Sequence, residues 1–259
     1  MQYGICLISL APIRILPDDR SEMVTQVLFG ELMQVLEQKE KWLLVELNND
    51  GYQGWISAGQ FTFLPDSEYL KLQQSDVWIS NDLVQVLENK KNNTRFLITA
   101  GSTFYNCQNN QFTILEEDYV FYGNMKPLTK FQADQLTDNA LLFLDCPYLW
   151  GGKSAMGIDC SGFTQLVYKI SGMNILRDAS QQATQGELIN LIHEAQPGDM
   201  FFFDNDENQI NHTGILLDPE HIIHAHQKVR VDRIDHQGIF NTKLRQYTHK
   251  LRLIKRIIS

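Results

Sequence analysis

The stretch Tyr148-Leu149-Trp150-Gly151-Gly152-Lys153-Ser154-Ala155-Met156-Gly157-Ile158-Asp159-Cys160-Ser161-Gly162-Phe163 constrains this chain more than any other. Gly151, Gly152 and Gly157 interrupt regular structure, and after Cys160 the apolar residues Phe163, Leu166, Val167 and Ile170 recur at three- and four-residue intervals. That spacing predicts an amphipathic helix with Asp159 or Cys160 in its cap region. A cysteine in a helix's first turn meets unpaired N–H groups and the positive end of the macrodipole, both of which favour thiolate over thiol. The glycine breaks are expected to leave room for a ligand to approach the sulfur. Free cysteine is more often a small core residue. Ser161-Gly162 are poor packing choices, however, and downstream histidines offer the partner that thiol catalysis requires.

The chain has 259 residues, 43% of them hydrophobic and 20% charged, enough for more than one soluble domain with ample core. A net charge of −9 argues against nucleic acid as a partner, since phosphate binding needs clustered Lys and Arg. The tail from Lys243 is basic, but its charges interleave with Leu251, Leu253, Ile254, Ile257 and Ile258. That pattern predicts a closing strand with a solvated cationic face rather than a membrane patch. Cys6, Cys107, Cys146 and Cys160 show no CxxC pair, so neither a disulfide framework nor a zinc ribbon follows. The apolar start lacks a preceding basic residue and runs into Ile13-Arg14-Ile15-Leu16. It reads as a first β-strand, not a signal peptide, and the expected location is cytoplasmic.

Residues 1–64 read as a small β-barrel, with runs Ile5–Leu10, Leu32–Leu36, Trp42–Leu47 and Trp55–Ile56 separated by turn residues. Residues 66–125 repeat the texture and predict a second, divergent barrel. The third domain, 128–259, opens with an expected helix over Thr129 to Asp145, followed by the Cys160 helix and a short helix from Ser180, as N-cap, through Gln185. Strands follow at Met200–Phe203, Asn211–Leu217, His221–His226, Val229–Ile234 and the tail, which gives a segregated α+β domain.

Asp218-Pro219-Glu220 is a turn, so the segments holding His212 and His224 should form an antiparallel hairpin. A register symmetric about Asp218 places the two imidazoles opposite each other. One can take the thiol proton while the second fixes its tautomer. His226 shares the face of His224 and is an alternative orienter, whereas His193, His236 and His249 read as surface positions. His221, His224 and His226 fit a metal poorly, because on a strand His221 points to the other face.

These residues resemble a known family. The stretch Tyr148 to Gly162, Arg177-Asp178-Ala179-Ser180-Gln181-Gln182, Pro197-Gly198-Asp199, His212-Thr213-Gly214-Ile215 and Ile223-His224-Ala225 together are similar to the NlpC-type cell-wall cysteine peptidases, a papain-like group. Gly51-Tyr52-Gln53-Gly54-Trp55-Ile56 matches the closing motif of bacterial SH3-like domains, which some members carry as a pair. Leu176 stands where the family commonly has proline, a departure confined to the loop leading to Ser180.

The resemblance implies Cys160 as nucleophile, His212 as general base, His224 as orienting member and Tyr148 as oxyanion donor beside the Cys160 N–H. Trp150 would line the cleft. Members with two barrels cleave γ-D-glutamyl–diamino acid bonds in peptidoglycan stem peptides and require a free L-alanine amino end. The first barrel limits the cleft beyond that alanine, with Asp159, Ser161, Ser180, Glu22 and Tyr52 as the implied binding residues. Asp159 and Ser180 also suit helix caps, worth roughly 1 kcal/mol each. No cofactor, nucleic acid or membrane is implied, and the chain is expected to be a monomer. Rival readings are a wall-binding protein with a vestigial third domain, an acyltransferase using the same thioester, and, more remotely, a zinc hydrolase.

Overall fold

Short apolar runs broken by turn residues become antiparallel strands throughout the first half of the chain. The computed structural model describes residues 2–128 and 130–257, so Thr129, where the first predicted helix begins, lies outside the described residues. The chain divides into two units, Met1–Thr129 and Lys130–Ser259.

In the first unit, residues Gln2–Leu64 give one seven-stranded antiparallel sheet. The expected strand Ile5–Leu10 is two: Gln2–Ile5 and Leu10–Arg14 belong to different parts of that sheet. The run breaks because the Cys6 amide bonds to the Glu31 carbonyl and Gly30 N–H to the Cys6 carbonyl, which turns the chain at Leu7–Ser9. After helix Asp66–Gln73, the second set of strands forms a four-stranded and a three-stranded sheet. Both halves share one apolar cluster. Phe29, from the first half, lies 5.9 to 6.3 Å from the rings of Phe96, Phe104 and Phe112 of the second. Tyr105 donates its hydroxyl proton to the Gly30 carbonyl at 2.7 Å.

The second unit is built on a seven-stranded sheet: the edge strand Glu187–Ile189 and six more, here β1 Met200–Asp204, β2 Ile210–Asp218, β3 His221–His226, β4 Lys228–Asp235, β5 Gly238–Asn241 and β6 Gln246–Arg256. These six pair in sequence, and β6 pairs with both β1 and β5, which closes an antiparallel barrel. Phe201, Phe203, Leu216, Ile222, Ile234, Ile239 and Ile254 form one buried apolar cluster of these strands. The basic tail is β6, as its alternation predicts, and Arg256 forks onto Asp199 at 2.7 and 2.8 Å. Helix α1, Cys160–Ile170, packs on β2 and β3 with every residue buried.

The helix expected to end at Asp145 is shorter. It is a single 3-10 turn, Ala133–Gln135, and an α-helix, Leu136–Leu141. Asp145 takes a φ of +68° while its N–H bonds to the Val229 carbonyl. Leu141, Leu142 and Leu144 remain exposed, so no apolar stripe carries the helix onward.

Phe29 joins the two halves of the first unit. Phe29→Ala is expected to lower the unfolding free energy by roughly 3–5 kcal/mol, measured by urea denaturation of the full chain.

Candidate active site

Cys160 is placed by its neighbour. Asp159 is the N-cap of α1 and accepts the Gly162 N–H at 2.6 Å. Its second oxygen accepts the Gly151 N–H at 2.8 Å, tying the glycine hairpin to the helix start. Arg177, 1% exposed, forks onto both oxygens at 2.7 and 3.0 Å and donates to Ser161 Oγ at 2.8 Å. With the Ser161 hydroxyl at 3.5 Å, five donors surround the carboxylate. Asp159 and Ser161 are therefore held by Arg177, and Asp159 caps the helix as expected. Close packing requires Gly152, Gly157 and Gly162. A Cβ on Gly162 would lie 2.3 Å from the Gly152 carbonyl oxygen.

The sulfur sits against β2 on both sides of His212. It lies 3.9 Å from the Asn211 carbonyl oxygen and receives the Thr213 and Ser161 N–H groups. Burial and the Asp159 charge push the thiol up to about 12, against the opposing pull of those N–H groups and Arg177. Burial works against the pull of the helix start toward the thiolate. Burial, followed by His224, His249 and His226, holds His212 well below the usual imidazole range. Burial thus favours the neutral form of each, thiol and imidazole.

The hairpin register differs from the one expected. Gly214, not His212, pairs with His224, and the ladder slips between Leu216 and Asp218. Because side chains alternate with period two, a shift of two residues keeps His212 and His224 on one face as diagonal neighbours. Gly214 makes the approach possible, since a Cβ there would lie 2.9 Å from the His224 Cβ. His212 Nε2 and His224 Nδ1 are 2.8 Å apart, and His224 Nε2 lies 3.1 Å from the buried Asp232 carboxylate.

Sequence reasoning missed three residues. Arg177 stood in a quoted motif without a role. Asp232 shares the inward alternation of Ile234, and an acid on a buried face needs a partner. His249, read as a surface position, instead stacks on His212 at 4.1 Å and is held down at about 3 by burial. Ring nitrogens of His212, His224 and His249 lie within 4.8 Å of one another. The stacked rings of His212 and His249 are only 24° from parallel, so their in-plane lone pairs do not converge on one ion, and the set fits a tetrahedral metal poorly. His221 is separate, bonded to Asp218 at 2.9 Å.

Tyr148 is half-buried, its phenol pushed up by burial, then by the charges of Cys160 and Asp159. Trp150 is 61% exposed. Ser180 is exposed and does not cap its helix; α2 runs Ala179–Gln182, and Asp178 is its N-cap in a capping box with Gln181. Glu22 is exposed and Tyr52 half-buried, both in the first unit.

A buried cysteine at a helix start with a histidine pair on the adjoining barrel defines a papain-like thiol hydrolase. Residues 145–248 match the NlpC/P60 family, and residues 13–61 match the bacterial dipeptidyl-peptidase Sh3 domain. The γ-D-glutamyl-L-lysine dipeptidyl-peptidase of Bacillus subtilis (strain 168) is 30% identical over 216 residues, 78% of this chain and 71% of the relative. Dipeptidyl-peptidase 6 of Lysinibacillus sphaericus is 28% identical over 246 residues, 85% of this chain and 88% of the relative. The crystal structure of an NlpC/P60 family protein from Bacillus cereus ATCC 10987 superposes with a TM-score of 0.84 over 99% of this chain and 100% of that one; at 18% identity it speaks for the fold alone. The chain belongs to the NlpC/P60 family of cysteine peptidases, with an amino-terminal SH3-like domain. The reading as a non-catalytic wall-binding protein is thereby set aside.

Two outcomes follow from these contacts. Arg177→Met leaves the Asp159 charge buried without its partner and is expected to cost roughly 3–5 kcal/mol of stability, read by thermal or urea unfolding. His212, His224 and His249 have lowered pKa values in the fold, so each binds a proton on unfolding below about pH 6.5. Stability should be level above that pH and fall below it, by about 1.4 kcal/mol per pH unit for each histidine that stays neutral. A chemical-denaturation series from pH 7.5 to 5 checks this, and His249→Asn should flatten the slope.

Proposed function

We propose that the protein hydrolyses the γ-D-glutamyl–diamino acid bond of peptidoglycan stem peptides with a free L-alanine amino end. Similarity to dipeptidyl-peptidases that spans the SH3-like and the peptidase regions supports this substrate class. The observation that carries the chemistry is the sulfur of Cys160 seated between the backbone groups flanking His212, with His212 Nε2 held by His224.

In this reading His212 takes the thiol proton as the sulfur attacks the γ-glutamyl carbonyl. The Cys160 N–H and the Tyr148 hydroxyl receive the developing oxyanion. His212 then protonates the leaving amine, and water, activated by the same imidazole, hydrolyses the thioester. Trp150, Ser180, Glu22 and Tyr52 stay candidates for substrate contact on the family resemblance. Asp159 holds Cys160 through its cap bond and stays a candidate for the alanine ammonium on the family resemblance. The four buried free cysteines suit a reducing compartment, consistent with a cytoplasmic role in recycling wall peptides.

Cys160→Ala is expected to abolish cleavage of L-Ala-γ-D-Glu-L-Lys and of its diaminopimelate counterpart while the melting temperature stays within a few degrees. Retained hydrolysis by that variant contradicts the assignment. The parent enzyme should release L-Ala-D-Glu and leave an N-acetylated tripeptide intact, as chromatography of the products would show.

A further inference from the structure

A chain of shared protons has its polarity set by the member that can only accept. Asp232 is that member. Burial pushes its carboxyl up, but the bonds to His224 and Arg230 outweigh this and keep it ionised. Arg230 donates from Nη2 to one oxygen at 2.7 Å and places Nε 2.7 Å from the other. His224 Nε2, 3.1 Å from Asp232, must therefore carry the proton and donate it. His224 is neutral, held down chiefly by burial, so its Nδ1 is a bare lone pair. That lone pair accepts from His212 across 2.8 Å, which puts the His212 proton on Nε2. His212 is neutral too, and its Nδ1 is left bare.

We propose that Asp232 is a positioning residue that, through His224, keeps Nδ1 of His212 unprotonated and so makes it the nitrogen that accepts the Cys160 proton. On attack the S–H bond breaks, the sulfur keeps the electron pair, and the proton joins His212 Nδ1; Nε2–H stays bonded to His224. The titratable and charged groups facing this pair are Cys160, seated on the backbone of Asn211 and Thr213, with His226 and His249 around His212, and His226, His249, Arg230 and Asp232 around His224. None of them besides Asp232 and Arg230 is charged while the histidines are neutral and the cysteine is a thiol. The inference rests on the assignment of Cys160 and His212 made above.

Asp232→Asn is the discriminating variant. Arg230 claims the amide oxygen, which turns the NH₂ group toward His224 Nε2. Each bond then reverses, and His212 presents Nδ1–H to the thiol, where no base is left. The expected result is a fall in kcat of roughly 10²- to 10⁴-fold with little change in KM. Iodoacetamide alkylation of Cys160 at pH 7 should slow alongside, and Asp232→Glu should recover much of the loss. The decisive readout is the two-bond ¹H–¹⁵N spectrum of labelled histidines, with His212 protonated on Nε2 in the parent and on Nδ1 in a folded Asp232→Asn variant. A proton still on Nε2 in that variant, or kcat within twofold of the parent, overturns the proposal. If the variant does not fold, the parent spectrum decides: a His224 proton on Nδ1 overturns it. These spectra need no substrate, so their outcome is independent of the peptide assigned above, and an active Cys160→Ala enzyme would sink that assignment separately.

Discussion

One carboxylate anchors the site. Asp159 collects two backbone N–H groups and both arms of a guanidinium that is 1% exposed. Each bond fixes a different element: the first turn of the Cys160 helix, the glycine hairpin before it, and the loop carrying Arg177. Removing either charge strands the other in a dry interior, which costs several kcal/mol. The position of the sulfur thus depends on an ion pair that touches no reacting atom.

The electrostatics of the pair follow from burial. A helix start is worth about 1 kcal/mol to a nearby anion, up to about 2 in favourable geometry. Moving the thiol from 9.0 to about 12 corresponds to about 4 kcal/mol against the thiolate. Burial opposes the thiolate, and it opposes the imidazolium of His212 as well. From a neutral pair, proton transfer must accompany attack, which makes the protonation pattern of the histidines part of the chemistry. The dry end of the barrel that imposes this also makes acid a threat to the fold.

The parts of this architecture that repeat locally were legible in the sequence. The Cys160 helix, the strands of the carboxy-terminal barrel and the histidine hairpin follow from apolar periodicity and turn residues. What escaped depends on contacts distant in sequence. The hairpin register lies two residues from the symmetric one, with a one-residue irregularity between Leu216 and Asp218, yet period-two alternation preserved the face on which His212 and His224 meet. His249 and Asp232 lie on strands whose inward face becomes visible only once the barrel closes. Ser180 lost the cap to Asp178 because a reciprocal bond with Gln181 satisfies two groups at once. The shared core around Phe29, which joins two stretches that read as separate barrels, has no local signature at all.

Intact-protein mass spectrometry of the full chain, quenched in acid during turnover of L-Ala-γ-D-Glu-L-Lys, tests the central claim most directly. The account predicts an adduct equal to L-Ala-D-Glu less one water, mapped by digestion to the peptide bearing Cys160 and absent from those bearing Cys6, Cys107 and Cys146. Steady turnover with no acyl group at Cys160, or with the adduct on another residue, contradicts it.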